Sequence, residues 1–572
     1  RPASQRAAAF ILTAAMLTTL TAPAFAKTWD IADGDITVKA GDTGNDVTQK
    51  GETTYGDTDT IITNQNKDIA SSNTVTIETN DKNDKVEVTL KDVNINVGSD
   101  SGSALTSNGD VTLTLKGDNS LTGGNGGSGI SSSGSLTITG GEKDSLTAQG
   151  GSGRSGIFSS GGVTISGGTV NATGGSSGSD SGDGIHSGSL TMKGGTVNAK
   201  GGSGADGGSG IRTFSSGGVT ISGGSTVNAT GGDASDKDAS AGGSGISGKG
   251  SLTVSGGTVT ANGGNGSKSE SSDRSNGGRG IDSGSLTVSG GTVTATGGDG
   301  CSGSYSDGGI GISSSSGGVT IYGGTVTATG GKSGSGDYSN GGNGISSSGS
   351  LSISGGTVTA TAGSSSGSGI HSRSDIDLSG SLELTAKAGS PNGKALSQNG
   401  IELDPNTFKE KLDPGANIIT KDADGKVIDQ VSIPRPVEPE GPVIPEESSS
   451  SSDSGSSTPS ADGGSATPSA PASPLPGLTV TDKDGQRISY TSIRGNNVLS
   501  IRAGRFTASL RVSLAALRQL RAEGIDTITF RTVLCSTTLS VDELLAMGGE
   551  DAEVVLTHHI RSSTLTVGGK AV

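Results

Sequence analysis

Residues 284–298 read GSLTVSGGTVTATGG, and nearly the same phrase returns along the chain. It appears as GGVTISGGTVNATGG at 161, GSLTMKGGTVNAKGG at 188, GGVTIYGGTVTATGG at 317 and GSLSISGGTVTATAG at 349. A Gly-Ile pair marks each unit, with Ile at 130, 157, 185, 211, 246, 281, 312, 345 and 370, so the spacing runs from 25 to 35 residues. A period in that range means stacked supersecondary units, each unable to bury its apolar face alone.

The units share one grammar. A short strand after Gly-Ile leads through a Ser-Gly turn to L-T-V/I, a Gly-Gly corner follows, and T-V-T/N-A-T precedes the next Gly pair. Leu286 and Val288 alternate with Thr287 and Ser289, and Val293 and Ala295 alternate with Thr292, Thr294 and Thr296. Period-two alternation turns one side of each strand inward. Three short strands per turn predict a mainly β chain: a right-handed parallel β-helix, or solenoid, with Val, Ile, Leu and Ala stacked coil on coil and Thr facing solvent. The paired glycines fall at corners that need positive φ or close backbone approach. Insertions concentrate before Gly-Ile, as in GGDASDKDASAGGSG at 231, and so project from one side.

Composition supports this architecture and limits its partners. Of 572 residues 104 are Gly, and aromatics are 2%, too few for one broad core but enough aliphatic side chains remain for a thin stacked one. The net charge of −16 argues against nucleic acid, whose phosphates require clustered Lys and Arg. Residues 1–26 carry Arg1 and Arg6, an apolar run from Ala7 to Leu20, and Ala24-Phe25-Ala26, which reads as a signal peptide cleaved before Lys27. A start upstream of Arg1, export and an extracellular or bacterial cell-surface location are therefore expected. No later stretch has the roughly 20 apolar residues of a membrane helix. Cys301 and Cys535, in segments of different composition, read as unpaired.

Residues 27–123 read as the cap and first irregular coils, 124–431 as the repeat coils and C-terminal cap. With coils about 4.8 Å apart, nine marked coils and two or three earlier ones would stack to roughly 50–60 Å. Residues 432–476 hold ten of the fifteen prolines and a Ser run, the composition of a disordered Pro/Ser-rich linker. Residues 477–572 read as a small α+β domain of unknown role. Ser513 caps a helix ended by Gly524, Ser540 to Glu543 forms a capping box, and strands fall at TITFRT, EVVLTHH and STLTVGG.

Candidate chemistry lies in two sets of residues. Asp180, Asp183, Asp206, Asp233, Asp236, Asp238, Asp299 and Asp307, with Asp273 and Asp337, occupy the variable corners; carboxylates among the exposed carbonyls of Gly-rich loops suit Ca²⁺, which takes six to eight oxygens. The competing reading is charged, solvated loops. The D-x-D-G stretches at Asp422 and Asp482 read as hairpin turns. The position after Gly-Ile holds Phe158, His186, Arg212, Ser247, Asp282, Ser313, Ser346 and His371 in turn. His186, Arg212, Asp282 and His371 are the candidate carbohydrate-binding residues. They include no adjacent pair of carboxylates for acid–base work, and no H-E-x-x-H or P-loop occurs. His558 and His559, adjacent in a strand, should face opposite ways and not share a metal. Phe158, Phe214, Tyr305, Tyr322 and Tyr338 are too sparse in sequence for a sugar-stacking platform.

The GI-x-S-G-S-L-T-V-x-G-G-T-V-T-A-T-G-G units, preceded by WD, GDITV and DVTLTLKG, resemble the parallel β-helix carbohydrate-binding domains of secreted bacterial proteins, of the polygalacturonate-binding type, over Trp29 to Leu403. The resemblance implies a non-catalytic, calcium-linked module for an acidic polysaccharide, serving adhesion or substrate capture, with a bacterial cell wall or host surface as further partners. Two alternatives stand beside it: a structural stalk or protein adhesin, and a polysaccharide lyase or hydrolase.

Overall fold

The three strands of each repeat lie on three separate faces in the computed structural model, which describes residues 27–434 and 477–571 apart from 80–84, 215, 236–239, 268–274, 302–304, 483–484, 489, 496–497, 504–506, 533–535, 548–551, 560–562 and 569. The expected signal peptide, most of the Pro/Ser-rich stretch and Cys535 lie outside the described residues. The chain divides into two units at Pro439/Glu440.

The first unit is a parallel β-helix. In neighbouring coils Ile281 pairs with Ile312 on the first face, Leu286 with Val319 on the second and Val293 with Val326 on the third. The third face is a 13-stranded sheet made of the T-V-T/N-A-T strands and their irregular equivalents at both ends. The first two faces fuse where single strands, Ile157–Ile165 and Ile185–Met192, run unbroken around the corner between them.

Register is set from inside. Ile281, Leu286, Val288, Val293 and Ala295 are all within 1% of complete burial, and the same positions repeat along the coils. Full burial of such aliphatic side chains contributes about 1.5–3 kcal/mol each, so a one-residue slip would forfeit every coil's contribution at once. The Ile ladder starts before the marked repeats, at Ile36, Val75 and Leu105, and continues one coil beyond Ile370 to Leu396. The lead-in strands are therefore rungs of the same solenoid.

Both ends are closed. At the start, Ile36–Ala40 pairs antiparallel with Asn45–Gln49, which pairs antiparallel with Glu52–Asp57. Buried Trp29 donates its Nε1–H to Asp57 Oδ2 at 3.0 Å there, and the Lys27 ammonium sits 3.7 Å from the indole centroid. At the far end, Phe408 and Leu412 are buried around the 3-10 helix Pro405–Lys411, and Asn417–Lys421 turns back onto Val427–Ser432. These caps cover the apolar coil ends that a solenoid must shield. The Asp422 stretch forms the expected turn with Gly425 at positive φ, and Gly485, also at positive φ, donates its N–H to Asp482 O.

Among the described residues the second unit has a five-stranded and a four-stranded sheet with two helices. Ser513 Oγ accepts from Ala516 N at the start of helix Leu514–Ala522, and Ser540 Oγ accepts from Glu543 N at the start of Val541–Ala546. The predicted strands appear as Thr527–Arg531, Glu553–His558 and Ser563–Val567. His558 is fully buried, its ring 4.9 Å from that of Phe530, whereas His559 is exposed, so the two do point apart.

Candidate functional site

The residues that follow Gly-Ile form one row on the first face, exposed or half-buried except at Ser313 and the last member, Ser397. Phe158 pairs with His186, His186 with Arg212, and the row runs through Ser247, Asp282, Ser313 and Ser346 to His371 and Ser397. All four candidate carbohydrate-binding residues therefore share one line, but they gather in two places. From His186 to His371 there are six coil steps, about 29 Å at ~4.8 Å per coil.

The first place is built around Asp183. Its carboxylate is 5% exposed, accepts from Ser209 N at 2.7 Å, and lies 3.2 Å from His186 Nδ1 and 3.6 Å from Arg212 Nε. The His186 ring packs edge-on to Phe158 at 5.7 Å and against Phe214 at 4.5 Å. Phe214, two residues beyond Arg212 in a lengthened corner, also meets Phe158 at 6.1 Å. Residues far apart in sequence thus make a small aromatic wall with an exposed Arg on it. Aligning the Gly-Ile pairs would have brought Phe158 and His186 together; Phe214 lies outside that frame.

The second place is a polar groove of about 630 Å³ crossing the coils from Ile281 to Leu396. His371, Arg279, Lys394, Asp307 and a set of Asn and Ser side chains line it. Arg279 Nη1 donates to Asp282 Oδ1 at 2.7 Å, so Asp282 holds a groove residue in place. His371 Nδ1 lies 3.3 Å from Ser397 Oγ. Burial, and then the nearby Arg373 and Lys394 charges, keep its imidazole below the ordinary histidine value. The sequence reading missed Asn276, Arg279, Asn340, Asn343 and Lys394, although 275–281 (SNGGRGI) and 339–345 (SNGGNGI) hold the first four of them at matching distances before Gly-Ile, because it took the position after Gly-Ile and the Asp residues as the places where chemistry would lie.

The carboxylates of Asp183, Asp206, Asp233, Asp299 and Asp307 are braces between coils. Asp233 Oδ1 accepts from Asn265 N at 2.7 Å, Asn265 Oδ1 from Asp299 N at 2.9 Å, and Asp299 Oδ1 from Lys332 N at 2.8 Å. A second ladder links Asn276 Oδ1 to Asp307 N and Asp307 Oδ1 to Asn340 N. Asp206 Oδ1 accepts from Ala241 N, and Asp180 forms a backbone bridge with Asp206. Asp236, Asp238 and Asp273 lie outside the described residues. Among the described residues no three His, Cys, Asp or Glu side chains come together to hold a metal ion. Five described corner carboxylates, those of Asp183, Asp206, Asp233, Asp299 and Asp307, are each spent on an N–H of a neighbouring coil, so they do not form the set of several convergent oxygens that calcium needs.

Aromatic contacts are also richer than their scarcity suggests. Tyr305 and Tyr338, on successive coils, stack at 5.2 Å with 14° between their planes, and both are exposed. On the third face Thr294, Thr327 and Thr359 stand in register, preceded by an amide ladder in which Asn228 donates to Asn198 and Asn198 to Asn171.

No described helix is long and apolar enough to cross a membrane. No curated protein and no solved structure matches the chain. Residues 163–189, 252–267, 286–311 and 351–372 match the family model described as beta helix repeat, in agreement with the parallel β-helix geometry of the first unit.

Proposed function

We propose that this β-helix is the non-catalytic glycan-binding part of an exported protein that holds polysaccharide at a bacterial surface, for adhesion or substrate capture. The observation that carries the reading is the polar groove of about 630 Å³, which crosses several coils and meets the row of post-Gly-Ile residues at His371. An extended sugar chain presents hydroxyls at regular intervals, and a row repeating at each coil offers partners at regular intervals too. Groups that fix orientation in such clefts are few and polar, as Arg279, His371 and Lys394 are here. The reading needs no calcium, since Asp183, Asp206, Asp233, Asp299 and Asp307 are engaged between coils.

The test is binding of the full chain to a panel of neutral and acidic polysaccharides, with the same samples assayed for new reducing ends and unsaturated products. Saturable binding without products supports the proposal. Failure to bind any glycan would leave a structural stalk or protein adhesin as the better account.

A second reading has one observation in its favour. Asp183 orients the His186 imidazole beside Arg212, an arrangement that can serve general acid–base chemistry in a lyase or hydrolase. Product formation abolished by His186→Ala would establish it over the first.

A further inference from the structure

At 1% exposure Asp57 is more deeply buried than any other carboxylate among the described residues. Its oxygens take three N–H groups: Oδ1 accepts from Lys27 N and from Asp59 N, each at 3.3 Å, and Oδ2 from the Trp29 indole at 3.0 Å. In an uninterrupted chain all three donors are neutral, and among the described residues no Lys, Arg or His side chain forms an ion pair with this carboxylate. The ε-ammonium of Lys27 is turned onto the Trp29 ring, 3.7 Å from its centroid, and onto Thr54 Oγ1. A buried carboxylate without a counter-ion is costly to keep charged. One of its donors, Lys27 N, belongs to the residue before which the sequence places the leader cut, after Ala24-Phe25-Ala26. That nitrogen is held in place, because Lys27 O accepts from Ile61 N at 3.2 Å and Thr28–Asp30 pairs parallel with Ile61–Thr63.

We propose that processing of the chain creates the missing counter-ion: the Lys27 α-ammonium of the mature protein is the group that the Asp57 pocket is built to hold. Hydrolysis of the Ala26–Lys27 peptide bond by a signal peptidase adds one water across it, leaving a carboxylate on Ala26 and an amine on Lys27. That amine takes up a proton at neutral pH, as α-amines do. A neutral N–H facing Asp57 is thereby replaced by a charged donor at the same atom, and charge-assisted hydrogen bonds are the stronger kind. The new ion pair ties the chain terminus to Trp29 and to the hairpin of Asn45–Gln49 and Glu52–Asp57 that closes the first coil. The solenoid end is thus closed loosely in the precursor and locked in the processed protein, and a solenoid depends on such caps. The inference stands apart from what the groove binds. It rests on the leader being cut before Lys27, which the first arm of the test reads directly.

Trp29 is the one tryptophan of the chain, so its fluorescence reports on this cap. The protein would first be exported with its leader and its N-terminus identified by intact mass; Lys27 is expected. The full chain beginning at Lys27 would then be unfolded in urea beside one that retains Ala26, in which the Lys27 nitrogen is an amide and the charge lies one residue away. Each would also be made with Asp57→Asn, and circular dichroism would confirm the β-helix in all four. The Trp29 transition should report an unfolding constant about tenfold or more smaller for the Lys27 chain, the worth of a hydrogen bond to a charged group, and Asp57→Asn should remove that difference. Should Asp57→Asn leave the cap unfolded, labelling with an amine-reactive ester decides the matter: the α-amine of the Lys27 chain should react more slowly than that of the Ala26-bearing chain, and equal rates would sink the pairing. A mature terminus other than Lys27, equal transitions for the two chain starts, or a difference that survives Asp57→Asn would overturn the inference and leave the glycan-binding reading untouched.

Discussion

Two glycines in one repeat serve different ends, and a methyl group added to each would meet different obstacles. Gly291 adopts φ +80°, where L side chains are strained, and a Cβ there would lie 2.5 Å from Gly257 O. Gly298 has no such φ, yet its Cβ would lie 1.9 Å from Gly264 O, the carbonyl of the coil before. Gly298→Ala should therefore destabilise the β-helix by roughly 2–3 kcal/mol through forced separation of coils, read as a lower urea midpoint at unchanged slope. Serine shows the opposite case. The inward hydroxyls of Ser187 and Ser283 are buried without a hydrogen-bond partner, whereas Ser314 Oγ reaches Gly284 O at 2.9 Å. Ser187 and Ser283 sit in the coils with the tightest corners, only five residues from Ile185 to Leu190 and from Ile281 to Leu286. Ser283→Ala should be neutral or stabilising by up to about 1 kcal/mol, and Ser314→Ala should cost about 1 kcal/mol. Equal losses in the two unfolding curves would contradict this difference.

Strands were the legible elements and corners were not, for a physical reason. Val293 and Ala295 announce their inward side by alternating with Thr, because burial imposes a period of two on any strand with a core face. Asp299 carries no such mark. Its partner Lys332 is a whole coil away, and an exposed carboxylate in a Gly-rich loop has the same sequence signature whether it holds calcium or an N–H. Phe158 and Phe214 were counted as isolated for the same reason, since their contact exists only once coil lengths are known. The brace role makes its own prediction: Asp299→Ala should lower stability by about 1–2 kcal/mol, Asp299→Asn should retain most of it, and neither EDTA nor added Ca²⁺ should shift the wild-type midpoint. In the tail domain, strand Glu553–His558 ends in a histidine wedged between Thr532 Oγ1 at 3.3 Å and Thr537 Oγ1 at 2.9 Å. Burial holds its imidazole below the ordinary value, so the unfolded chain takes up the proton first. Stability of this domain should be level above about pH 6.5 and fall below it, by no more than about 1.4 kcal/mol per pH unit for one proton. Denaturant midpoints between pH 8 and 5 measure it, and His558→Gln should flatten the slope.

Along the whole β-helix each coil touches mainly its neighbours, so stability is close to a sum over coils and their interfaces. Removing one complete coil should then shorten the stack rather than destroy it, provided equivalent corners are rejoined. Deleting residues 203–232 joins Gly202 to Asp233, corner to corner, and brings Ile246 to the place Ile211 held beside Ile185. The deletion takes Arg212 and Phe214 away from Asp183 and His186 while leaving Asn276, Arg279, His371 and Lys394 on their own coils. The shortened chain should keep its β circular dichroism, lose a few kcal/mol of stability at most, and bind polysaccharide as the full chain does if the groove is the seat of binding. Lost binding in a folded deletion would move that seat to the Phe158–His186–Phe214 wall. Loss of folding would instead show that the coils are coupled beyond nearest neighbours, which the unbroken strands Ile157–Ile165 and Ile185–Met192 make most plausible at this point in the stack. Deleting residues 299–331 in parallel separates these outcomes, because it cuts a complete coil out of the groove itself, removing Asp307 and bringing Asn276 and Asn340 one step closer. It should leave the fold intact and abolish or re-tune glycan binding.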